Sequence, residues 1–191
     1  MLLGAVLEFL VLSLPSLIYR SRLRQHGHPA VVASTAVGLT LGHLRDSLPA
    51  AGVAVITSGL GYAALTLIPR ADLTQHGAAV GHPTTAGGYA AIVLLAAGEE
   101  MLFRGWLAGV LFRKLGFARG NAIQALVFLA PHTLLLLVSP TLWPILPVQL
   151  IAGWLLGWLR HRSGSVAPRL RLTPRPTSSP LSPSDRAETP L

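Results

Sequence analysis

The stretch NAIQALVFLAPHTLLLLVS, residues 121–139, contains no Asp, Glu, Lys or Arg. A run of about 18 or more apolar residues is what a helix rising 1.5 Å per residue needs to cross a hydrocarbon layer about 30 Å thick. It therefore reads as a membrane span. Working outward, residues 2–19 form a second such run, with Glu8 inside it and Pro15 near its end. Residues 48–68 form another, which stops at Pro69-Arg70, and residues 142–159 carry Gly153 and Gly157 in a further one. Helical character also runs through 88–115, where Glu99, Glu100 and Arg104 interrupt the apolar pattern. With a shorter apolar piece at 30–44, these segments predict an all-α fold, a polytopic transmembrane bundle of about five or six membrane helices. The bundle occupies residues 1–162. Residues 163–191, dominated by Pro, Ser, Thr and Arg, read as a disordered basic tail. The switch near Pro168 is compatible with a divergent tail or with a change of reading frame.

Composition agrees, since 51% of the 191 residues are hydrophobic and 12% charged, too apolar for an ordinary soluble domain. The net charge of +8 invites a nucleic-acid reading. The basic residues, however, sit at the ends of apolar runs: Arg20, Arg22 and Arg24 after the first, Arg113, Lys114 and Arg119 before 121–139, and Arg160 and Arg162 after the last. Excess Lys and Arg near span ends mark cytoplasmic loops, so these charges read as topology anchors, Arg160, His161 and Arg162 among them. If 30–44 does not cross, all three basic clusters fall on one side. The absence of cysteine excludes disulfides, thiolate metal sites and a cysteine nucleophile. The first run lacks an early positive region and a small-x-small cleavage site, so it reads as a retained span.

Two adjacent glutamates and an arginine in an apolar helix cost several kcal/mol unless they face protein, water or one another. Glu100 and Arg104 are four apart, acid before base, and can pair along one helix face. Glu99 is rotated by about 100° and left without that partner. A lone carboxylate in a low-dielectric cavity suits a group that accepts and returns a proton near neutral pH. In the next apolar segment Phe128 and His132 are also four apart, and Pro131 perturbs the helix and leaves a backbone carbonyl free. If a loop near 113–120 joins two antiparallel helices, Glu99 and His132 lie at similar depth, where they could hold and activate a water. Glu8, within about two turns of the N-terminus, reads as reaching the interface.

The segment Glu99-Glu100-Met101-Leu102-Phe103-Arg104-Gly105 reads as EExxxR and Phe128 with His132 as FxxxH. Together they resemble the signatures of the CPBP intramembrane protease family, which includes the CAAX prenyl proteases and bacterial Abi-type proteins. The resemblance covers roughly 88–165, including the Gly-rich helix and Arg160-His161-Arg162-Ser163-Gly164-Ser165-Val166. It implies an endopeptidase of a bacterial plasma membrane that hydrolyses peptide bonds with a glutamate-activated water. Glu99 would be the general base and His132 would position the water, with Glu100, Arg104 and Phe128 in support and with no metal or cofactor. The implied partners are the lipid bilayer and a peptide or membrane-protein substrate, not nucleic acid. It further implies a helix after the Ser-Gly-Ser turn bearing a His and, four residues on, an Asn, but no His or Asn follows His161. The alternative is therefore a non-catalytic immunity or adaptor protein derived from that family. A proton-coupled transporter would use the same residue types, although no inverted repeat is visible. A metalloprotease would lack HExxH.

Overall fold

A computed structural model describes residues 2–39, 46–75 and 85–164 of the chain. Among these residues every regular element is helical. The first, α1 (Leu2–Gln25), continues past the apolar run into Arg22 and Arg24, and Gly27 at φ 82° turns the chain out of it. Next comes α2 (Ala30–Ala36), seven residues long and ended near Gly38 at φ 68°. At about 1.5 Å per residue it is far too short to cross a bilayer. The rest of the 30–44 segment from residue 40 onward lies outside the described residues. α3 (Ser47–Thr66) is the following long helix, and Pro69 precedes the short α4 (Arg70–Gln75). Thr85 caps α5 (Ala86–Glu99) by accepting at Oγ1 from the Gly88 N–H at 3.1 Å, which satisfies one of the orphan donors of a helix start. The chain then widens into a π-helical segment, Glu100–Leu107, before α6 (Ala108–His132), α7 (Leu135–Val138), a 3₁₀ turn (Pro140–Leu142) and α8 (Ile145–Ser163).

Among the described residues four helical stretches are long and apolar enough to span a membrane: Leu2–Gln25, Ser47–Thr66, Ala86–Val138 and Pro140–Ser163. The third has 53 residues and would measure about 80 Å if straight, more than twice a hydrocarbon core. It is not straight. Gly116 inside α6 has φ 74° and ψ 172°, a conformation essentially restricted to glycine, and there the chain doubles back. Phe112 and Phe117 meet across the bend with ring centroids 5.6 Å apart. A Cβ added to Gly120 would lie 2.9 Å from the Leu111 carbonyl carbon. The connection expected over 113–120 is thus one glycine between two continuous helical arms. Counting the arms separately gives five apolar passes, at the lower end of the expected range.

Packing depends on small residues, as expected where lipid offers no hydrophobic drive between helices. Gly153 and Gly157 on α8 form a GxxxG face against α6. A Cβ at Gly153 would sit 3.1 Å from the Phe128 ring, and one at Gly157 would overlap the Asn121 side chain. Asn121 Nδ2 donates across this contact to the Trp154 carbonyl at 3.1 Å. On the other side of the hairpin, α1 meets α5 where a Cβ on Gly98 would be 3.1 Å from Phe9 Cα. α3 packs on α8. Large apolar side chains such as Leu3, Val11, Val55 and Leu137 point outward, the face a lipid solvent requires. Ser163 ends α8 with its hydroxyl donating to the Leu159 carbonyl at 2.8 Å, and Gly164 caps it at φ 66°. Residues 165–191 lie outside the described part.

Candidate active site

The site is built on the π segment, which the motif spacing did not reveal. A π turn closes i→i+5 instead of i→i+4 and so displaces backbone carbonyls from their α-helical partners. Two carbonyls there receive side-chain donors from neighbouring helices. Ser16 of α1, fully buried, donates its hydroxyl to the Met101 carbonyl. Arg160 of α8 donates Nε–H to the Arg104 carbonyl at 3.2 Å. Gly105 permits the approach of α1, because a Cβ there would lie 2.7 Å from Ser16 Oγ.

Within this frame Arg104 is 1% exposed and its Nη1 lies 3.2 Å from Glu100 Oε1, the pairing expected from the spacing. The guanidinium carbon stands 4.1 Å from the centroid of the Phe128 ring, a cation–π contact of the kind that strengthens when water is excluded. Phe103 meets the same ring edge-on at 5.0 Å. Phe128 is thereby the plate on which the arginine rests. His132 also meets this ring, with centroids 4.9 Å apart, and its Nδ1 is 2.8 Å from the Phe128 carbonyl oxygen. A carbonyl only accepts, so Nδ1 carries the proton, and in the neutral ring Nε2 is left with a lone pair.

Glu99, the last residue of α5, is half-buried and makes no ion pair among the described residues. It lies within electrostatic range of His132, Arg104 and Glu8. The fold-back at Gly116 brings this about, because Glu99 precedes the glycine by 17 residues and His132 follows it by 16. Glu99, Glu100, Arg104, Phe128 and His132 therefore form one cluster. Glu8 is exposed, as an interfacial residue would be, yet it stands on α1 beside Phe9 at the level of Gly98. Among the described residues no group of three or more His, Asp and Glu side chains is placed to hold a metal ion. A wholly apolar groove of about 420 Å³ between α6 and α8, lined by residues including Ala122, Leu126 and Trp154, contains none of these site residues.

Sequence reading missed Ser16 and misassigned Arg160. Two serines three apart in an apolar run, Ser13 and Ser16, mark a helix face turned toward protein, and that signal was available. Arg160 is not a headgroup anchor. It is 8% exposed and bridges three elements, since Nη2 also donates to the Thr35 carbonyl of α2 at 2.9 Å. Its partners are backbone carbonyls, which no side-chain pattern announces.

Residues 82–170 match the family described as type II CAAX prenyl endopeptidase Rce1-like. No significant match is found among curated proteins or solved structures. The matched stretch contains both motifs, the Gly116 fold-back and all of α8, and over these residues the chain is similar to the type II CAAX prenyl endopeptidases of that family.

Proposed function

We propose that the chain is an intramembrane endopeptidase of a bacterial plasma membrane that hydrolyses peptide bonds with a water activated by Glu99. The observation that carries the reading is the placement of half-buried, unpaired Glu99 within electrostatic range of His132, on two arms that converge from a single glycine turn. Glu99 takes a proton from the water as its oxygen attacks the scissile carbonyl, and returns it to the departing amine. His132, held by its Nδ1–H bond to the Phe128 carbonyl, presents Nε2 as an acceptor that orients the same water. Glu100 and Arg104 hold each other at the π segment, so the Arg104 charge is neutralised before it can capture Glu99. A positioned general base supplies about 10²–10⁴ in rate.

One observation favours a second reading, a non-catalytic immunity or adaptor protein: no His or Asn follows His161 to supply the oxyanion donors, each of which contributes about 10²–10³ in rate. Purified protein in detergent, offered a panel of membrane-embedded and C-terminally lipidated peptides, separates the two. Cleavage by the wild type that survives chelators and is lost in Glu99→Ala and His132→Ala supports the protease. A folded wild type that cleaves nothing supports the second reading.

A further inference from the structure

The described basic residues other than Arg70 and Arg104 gather at one end of the bundle. Arg20, Arg22 and Arg24 close α1, Arg113, Lys114 and Arg119 flank the Gly116 turn, and Arg160 and Arg162 close α8. Contacts hold these chain ends side by side. Arg113 donates to Tyr19 Oη at 3.2 Å and to the Ala36 carbonyl at 3.1 Å. Arg20 donates to Ser34 at 3.1 Å, and Phe117 stacks on His161 at 4.3 Å. A bias of this kind marks the cytoplasmic face.

The candidate site lies at the other end. Glu99 and His132 are each 16 or 17 residues from Gly116, about 25 Å along their helices. In a hydrocarbon layer about 30 Å thick that puts them in the leaflet away from the basic end. Buried polar side chains lie between the two ends. Asn121 and Gln124 are fully buried beside Gly157, and Arg160 closes the gap between α8, the π segment and α2. Toward the far end the burial relaxes, with Glu99 and His132 half-buried and Glu8 exposed. There Thr141 donates to Asp72 at 2.8 Å, tying α4 to the turn that follows His132.

We infer that the Glu99–His132 cleft opens to the extracytoplasmic face, and that its substrates are polypeptide segments presented at the outer leaflet, not tails delivered from the cytoplasm. The substrate half rests on the protease reading; the orientation half does not. Because the chain has no cysteine, single-cysteine variants report orientation cleanly with a membrane-impermeant maleimide on sealed spheroplasts and inverted vesicles. Glu99→Cys and Tyr89→Cys should be labelled in spheroplasts and lose labelling in inverted vesicles, while Lys114→Cys should behave in the opposite way. Thr133→Cys, exposed beside His132, serves if Glu99→Cys does not fold. Labelling of Lys114→Cys from outside, or of the site cysteine only from the cytoplasmic face or from neither, would overturn the orientation. One cleavable segment tethered at either face then tests the substrate, with cleavage expected only on the outer face; equal or inner-face cleavage overturns it. An outward cleft in a chain that cleaves neither would remove the protease reading and leave the orientation standing.

Discussion

Arg104 and Arg160 are both buried, at 1% and 8% exposure, and they touch through the Arg104 carbonyl, yet the bundle holds them by different means. Arg104, deep in the π segment, has a carboxylate 3.2 Å away and an aromatic face 4.1 Å away. Arg160, near the basic end, has no carboxylate partner among the described residues and is held by two backbone carbonyls. Depth accounts for the difference. A guanidinium in mid-membrane needs a full countercharge, whereas Arg160, at the end of its helix, is held by the dipoles of two carbonyls. One arginine lies in the candidate site and the other ties the π segment to α2 and α8.

That contrast predicts graded costs, measured by denaturant unfolding in detergent. Glu100→Gln strands the Arg104 charge and should destabilise by about 3–5 kcal/mol. Adding Arg104→Met should recover most of that loss, and a double variant as damaged as the sum of the singles would mean that the two residues do not act as a pair. Arg160→Met removes two charge-assisted hydrogen bonds and should cost about 1.5–3 kcal/mol. Arg160→Lys, able to reach one carbonyl, should cost less, and no loss from either would demote Arg160 to a surface residue. Gly116→Ala tests the hinge both arginines depend on. Forcing alanine into φ 74° and ψ 172° should cost about 1–3 kcal/mol, and a neutral result would show that the bend adopts another backbone geometry. Gly157→Ala drives a methyl into Asn121 and Gln124 and should cost about 1–3 kcal/mol through overpacking.

Much of this architecture is legible in the sequence because membrane solvation imposes length and polarity rules on each span separately. The apolar runs, the short piece at 30–44 and the Glu100–Arg104 pairing follow from local spacing. Arg113, Lys114 and Arg119 interrupt the apolar pattern and so suggest a loop over the whole of 113–120. Only the left-handed φ of Gly116 shows that a single residue suffices. The π segment escaped because its cause is not local: it is held by Ser16 and Arg160 from helices 85 and 56 residues away in sequence. Arg160 was misread for the same reason, since charge at a span end is the usual mark of an anchor and its carbonyl partners carry no sequence signature.

The central claim is that Glu99 and His132 act together on one water because the fold-back at Gly116 sets them at one depth. A cycle of Glu99→Gln, His132→Ala and the double variant, with cleavage rates measured on protein of matched thermal stability, tests it directly. If both groups serve one water, each single loses about 10²–10⁴ in rate and the double loses no more than the worse single. Losses that multiply, or a glutamine variant that cleaves as fast as the wild type, would contradict it.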